Sequence, residues 1–183
     1  MTLNSIETLT NPQPRGHIVY LYTNESQVVE AVCLFASAGL HKDESVLLVM
    51  TEAHRQLVRQ QLDEEGFPLQ ELESGGRFVC IDAQDLLASF LFDGIIDEYR
   101  FKSTVGVMIE TAKKNSGNGA VRVFGEMVDL ICTTNPKATE RLEELWNQVI
   151  EAHSVPLLCA YSLSAKRLVL PTPLLSCHSH AVA

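Results

Sequence analysis

A chain of 183 residues, 46% hydrophobic and 20% charged, is long enough for one domain with a sizeable core. Fourteen basic against twenty-three acidic side chains give a net charge of -9, which argues against nonspecific binding to nucleic acid or anionic membrane, since both need a basic surface. No apolar stretch approaches the length of a transmembrane helix, and Met1 to Pro14 lacks the apolar region of a signal peptide, so a cytoplasmic protein is expected.

Residues 1–14 read as a loose, flexible leader ending in Asn11-Pro-Gln-Pro14. Ile18 to Tyr22 is a buried strand. Thr23-Asn24-Glu25 then turns and caps a helix, with Gln27 three places after Asn24 and Val28, Val32, Phe35 and Leu40 at helical spacing. Ser45 to Met50 is a second strand, followed by a helix that Thr51 can cap and that ends at Gly66. Arg77 to Ile81 is a third, and Asp82 caps a helix from Ala83 to about Phe92. Asp97 opens another helix, with Phe101, Val105, Met108, Ile109 and Ala112 facing inward. After Ser116-Gly-Asn-Gly119, the run Ala120 to Phe124 is a buried strand, and Glu126 sits just past its carboxyl end. Asn135-Pro136 starts a helix running to about Ala152. Ala138, Leu142, Leu145, Trp146 and Val149 form its apolar stripe; Glu140, Glu143 and Glu144 read as its solvated face. Pro156 to Tyr161 is the last core strand. Leu168 to Leu170 could add an edge strand, and the apolar tail could cover a sheet edge or meet a second subunit. Strands that are apolar throughout and alternate with helices predict an α/β three-layer sandwich with a mainly parallel central sheet. The predicted organisation is a leader at 1–14, a core domain at 15–163 and a C-terminal extension at 164–183.

In an open α/β sheet, ligands bind outside the carboxyl ends of the strands. Those ends carry Tyr22-Thr23-Asn24, Thr51-Glu52, Asp82, Glu126 and Tyr161-Ser162. Together they predict a polar cleft, for which Tyr22, Glu52, Glu126 and Tyr161 are the candidate ligand-binding residues. The competing reading is that each polar residue caps the helix it precedes; for Glu126, spacing alone favours the cap. A carboxamide would then serve nearly as well, whereas a binding role predicts that Glu126→Gln spares the fold and weakens the response.

A phosphate-cradling loop is missing, because Thr23 to Val29 holds neither Gly nor Lys. The five cysteines form no C-x-x-C pair and are expected to be reduced. His54 reads as a surface residue. Cys177-His-Ser-His180 offers three metal ligands, but no partner pair is evident in the sequence. No catalytic residue, metal or cofactor is therefore expected.

Four segments in order carry a family resemblance: His17-Ile-Val-Tyr-Leu-Tyr22, Phe124-Gly-Glu-Met-Val-Asp-Leu130, Leu142-Glu-Glu-Leu-Trp-Asn147 and Leu157-Leu-Cys-Ala-Tyr161. They resemble the MEDS (methanogen/methylotroph sensory) domain over residues 15–163, and Cys177 to His180 resembles a segment often found just after it. The resemblance implies a RecA/KaiC-like core without a phosphate loop, in which Glu126 stands beside the position of the ATPases' magnesium-binding acid and Glu52 resembles the place of a catalytic acid. It implies a non-enzymatic sensory module that binds a small molecule or a protein partner and signals to a histidine kinase or transcriptional regulator, separate or fused. A residual nucleotide-binding or ATPase domain is the first alternative, and a ligand-free dimerisation module the second. A homodimer is the expected oligomer. Direct binding of nucleic acid or membrane is not expected.

Overall fold

The strands pair edge to edge and in one direction. A computed structural model describes residues 1–163 and 169–182. Its main sheet joins β1 (His17–Tyr22), β2 (Ser45–Met50), β3 (Phe78–Asp82), β6 (Val121–Gly125), β7 (Leu157–Ser162) and β8 (His180–Val182) in the order β3-β2-β6-β7-β1-β8. Every pairing in this sheet is parallel. Such strands need a crossover between them, and the helices supply it.

The helices divide by sequence. α1 (Leu3–Thr10), α2 (Glu25–Leu40), α3 (Glu52–Glu64) and α4 (Leu69–Ser74) cover one face, with Leu9, Phe35, Val58 and Leu69 packed on Tyr20, Leu48 and Phe124. α5 (Ala83–Ala88), α6 (Glu98–Asn115), α7 (Met127–Ile131), α8 (Pro136–His153) and α9 (Thr172–Ser176) cover the other, with Phe101, Val128, Trp146 and Leu174 packed on Leu47, Val123 and Cys159. The starts follow the expected caps: Asn24 and Gln27 form a reciprocal capping box, Asp82 and Asp97 accept from backbone N–H groups, and Asn135 precedes Pro136.

Several expectations are corrected. Leu3–Thr10 forms a helix where the sequence predicts a loose leader. Its Leu9 is buried, and Arg122 of β6 donates to the carbonyls of Leu9 and Thr10, fastening the helix to the sheet. The helix expected from Ala83 to Phe92 stops at Ala88. Asp93 and Gly94, both at positive φ, turn a small hairpin between β4 (Leu91–Phe92) and β5 (Ile95–Ile96). The edge strand is His180–Val182, held parallel to β1; of the segment expected there, Leu168 lies outside the described residues and Val169 and Leu170 are not in a strand. Glu143, expected on the solvated face of α8, is 0% exposed.

Candidate functional site

The sheet changes hands between β2 and β6. α3 leaves β2 onto one face and α7 leaves β6 onto the other, which makes a topological switch point at the carboxyl ends of these neighbouring strands. In α/β sheets such switch points are where ligands bind.

Glu126 sits at this switch point and is 3% exposed. Its backbone N–H donates to the carbonyl of Val49 at 3.1 Å, continuing the β2–β6 ladder. Its side chain makes no cap for α7. The carboxylate instead reaches across to the neighbouring helix: Oε1 accepts from the Thr51 N–H, and Oε2 lies 2.6 Å from Nδ1 of His54. A negative group at the start of α3 also meets the positive end of that helix's dipole. The capping alternative for Glu126 is thus replaced by a link between two elements on opposite faces. Thr51 makes no side-chain cap either.

His54 is 9% exposed, not the surface residue the sequence suggests. It lies one turn into α3 on the side facing the sheet, where the Tyr22 ring meets it edge-on with centroids 6.1 Å apart. The hydrogen bond to Glu126 raises its pKa above the ordinary histidine value; burial opposes this, and the charges of Glu126, Glu25 and Asp129 add to it. A raised folded-state pKa stabilises fully below the unfolded value and is lost as pH rises through the folded one. Glu126→Gln should therefore destabilise the chain by about 1–3 kcal/mol at pH 6, as expected when a buried donor loses its charged partner. The gap from wild type should narrow by pH 9, as read by urea unfolding of both proteins. This revises the expectation that a carboxamide would be tolerated.

The other candidates do not gather here. Tyr22 shares the Glu126 face. Tyr161 lies on the opposite one, because the register pairs Leu21 with Tyr161 and Tyr22 with Ser162, and side chains alternate along each strand. Glu52 is half-exposed and bonded by Arg55 and Gln56 of its own helix; it lines a groove of about 410 Å³ with Arg59, Glu73 and Cys80. Asp82 is spent as a cap on the backbone N–H groups of Gln84 and Asp85. The strand ends therefore do not open into one shared cleft.

A second polar group lies buried on the opposite face. His17 starts β1, Cys159 lies in β7, Glu143 projects from α8, and His178 follows α9. One ligand atom from each falls within 4.8 Å of all the others. The Tyr161 hydroxyl is 2.5 Å from Glu143 Oε1. Burial pushes the Glu143 pKa up, but the His17 and His178 imidazoles beside it outweigh that and hold the carboxyl down at about 2. Burial, then the neighbouring carboxylate, pushes the Cys159 thiol and the Tyr161 hydroxyl well up. Glu143 escapes a reading based on apolar residues alone. The signal for it is its 3–4 spacing with Thr139, Trp146 and Ile150, all of them buried.

An all-parallel sheet in this order, covered by helices on both faces, defines a KaiC-like RecA fold. Among solved structures the chain is similar to a KaiC-like protein from the hyperthermophilic archaeon Pyrococcus horikoshii OT3, with 10% identity and a TM-score of 0.62, over 92% of this chain and 70% of that one. At this identity the likeness carries the fold alone. The family model described as "MEDS: MEthanogen/methylotroph, DcmR Sensory domain" matches residues 16–178, and the chain belongs to that family. No curated protein matches in sequence. No helix among the described residues is long and apolar enough to cross a membrane.

Proposed function

We propose that this sensory domain is a non-enzymatic input module that recognises a small molecule or protein partner at the switch point between β2 and β6, and passes the change to a histidine kinase or transcriptional regulator. The observation that carries this reading is the Glu126 link. It is a buried carboxylate at the switch point that joins the start of α3 to the end of β6 and leaves its own helix uncapped. A ligand shifts a protein only by binding two conformations unequally. An occupant that competes for Glu126, or for the proton on His54, would do so by loosening α3 from α7.

The loop after β1 supports a non-enzymatic role. The backbone N–H groups of Thr23 and Asn24 donate to Gln27 Oε1, and that of Gln27 donates to Asn24 Oδ1. Amides that would cradle a phosphate are thus taken up by the chain's own side chains, and phosphoryl transfer rests on such positioning.

The test is equilibrium dialysis of the purified chain against a polar metabolite extract, read by mass spectrometry, alongside a magnesium–ATP turnover assay. Wild type should retain a species that folded Glu126→Gln protein loses, and neither should turn over ATP. Equal retention by the two proteins, retention by neither, or turnover that Glu126→Gln abolishes would overturn the reading.

A further inference from the structure

We propose that His17, Glu143, Cys159 and His178 form a closed site for one divalent cation of the zinc type, and that this ion fastens the C-terminal segment to the sheet. The site lies on the opposite face from Glu126 and does not depend on the function proposed above.

The distances come first. His17 Nε2 lies 3.2 Å from Glu143 Oε2 and 3.3 Å from Cys159 Sγ. His178 Nε2 lies 3.4 Å from Glu143 Oε1, and Cys159 Sγ lies 3.8 Å from Glu143 Oε2. Ligands at about 2.0–2.3 Å from a tetrahedral zinc ion stand about 3.3–3.8 Å from one another. The contacts among His17, Cys159 and Glu143 Oε2 thus fall at or near the spacing of one coordination shell, and His178 approaches the same carboxylate through Oε1, all four ligand atoms lying within 4.8 Å of one another.

The tautomers come second. Asn147 Nδ2 donates to the Cys177 carbonyl at 3.2 Å, which turns its Oδ1 toward His17 Nδ1 at 3.0 Å. His178 Nδ1 faces the Leu174 carbonyl at 2.8 Å. A carbonyl and an amide oxygen only accept, so both Nδ1 atoms carry the proton and donate. The neutral rings then aim their Nε2 lone pairs at the thiol and the carboxylate, the outer-shell arrangement of metal-binding histidines. Nε2 of His178 is buried and makes no hydrogen bond among the described residues; its approach to Glu143 lacks the required alignment. Its side chain is 1% exposed, so water does not serve it. This is an unpartnered buried nitrogen with its lone pair aimed into the cluster.

The charge comes third. A divalent cation with one carboxylate, one thiolate and two neutral imidazoles sums to zero, which suits a site sealed from water. Two nitrogens, one sulfur and one oxygen in a tetrahedral set match zinc. Four protein ligands and no access describe a structural rather than a catalytic ion. The Tyr161 hydroxyl donates to Glu143 and orients the carboxylate from outside the shell. Three ligands belong to β1, α8 and β7. The fourth belongs to the C-terminal segment, which also meets the sheet edge through a three-residue strand and the Ser179–His17 contacts, and packs on α8 and the core through the Asn147–Cys177 hydrogen bond and Leu174.

The test begins with zinc quantified in tag-free chain purified without chelators. The stripped chain is then titrated with Co²⁺, in wild type, Cys159→Ser and Asn147→Ala. About one zinc ion per chain is expected, with intense tetrahedral Co²⁺ bands and a sulfur-to-cobalt charge-transfer band that Cys159→Ser loses. Asn147→Ala, which frees the His17 ring, should weaken Co²⁺ binding about 10–100-fold without removing a ligand. Hydrogen exchange over residues 172–182 should quicken when zinc is stripped from wild type. A native chain without zinc that also fails to bind Co²⁺, or a Co²⁺ spectrum unchanged in Cys159→Ser, would overturn the site and leave a cluster held by protons alone. Exchange over 172–182 that ignores zinc would overturn the fastening role.

Discussion

Replacing Trp146 by Ala should cost about 3–5 kcal/mol of stability, the usual price of removing a buried indole. The residue is fully buried on α8, and Phe101 of α6 meets its ring edge-on with centroids 5.2 Å apart. Phe90 continues the stack on the far side of Phe101. The indole also lies against the end of β6: a Cβ added at Gly125 would stand 3.9 Å from its Cζ2. Truncation therefore opens a cavity where three elements meet, directly beneath the strand that ends at Glu126. Against a typical stability of about 5–15 kcal/mol this is a large share. Urea unfolding measures it, and Trp146→Phe should recover part of the loss. An unchanged unfolding midpoint with an altered ligand response would make Trp146 a recognition residue instead.

Arg122→Met should be comparably damaging, by a different route. Arg122 is 2% exposed although it lies mid-strand in β6. Its guanidinium pairs with Glu44 and donates to the carbonyls of Leu9, Thr10 and Phe35. Gly39 makes room for it, since a Cβ there would fall 2.8 Å from Arg122 Cδ and Nε. Methionine keeps the stem's volume but removes the charged partner of Glu44 and the donors to the Leu9, Thr10 and Phe35 carbonyls. Removing one member of a buried pair costs about 3–5 kcal/mol. The loss should be local first: hydrogen exchange over residues 3–10 should rise toward that of an unfolded segment before the sheet opens. Protection over α1 equal to wild type would show that Leu9 alone holds the helix.

The core of this fold is legible in the sequence because its central strands are mostly apolar on both faces and the helices that begin at Glu25, Ala83, Glu98 and Pro136 carry side-chain caps. β1, β2, β3, β6 and β7 all lie where those patterns place them. What escapes is whatever depends on partners distant in the chain. α1 is eight residues long, buries only Ser5 and Leu9, and is held by Arg122, more than a hundred residues away. The β4–β5 hairpin is two short strands turning on Asp93-Gly94, and the first of them takes up what reads as the end of a helix. The site shows the same division. Glu126 stands out because it follows a buried strand, but its partners Thr51 and His54 belong to a neighbouring strand and helix, and no local spacing reveals them. Tyr22 and Tyr161 end adjacent strands, yet a one-residue offset in register sends them to opposite faces. His178 looks partnerless in its own segment, since His17, Glu143 and Cys159 come from three other elements.

The most direct test of the switch-point link is an NMR titration of His54 in wild-type and Glu126→Gln protein. If the carboxylate reaches across from β6 to α3, the wild-type imidazole titrates above the ordinary value of about 6.5 and the variant's falls, because burial is then opposed only by the charges of Glu25 and Asp129. An identical titration in the two proteins would mean that Glu126 does not govern His54, and would contradict the link on which the proposed recognition site rests.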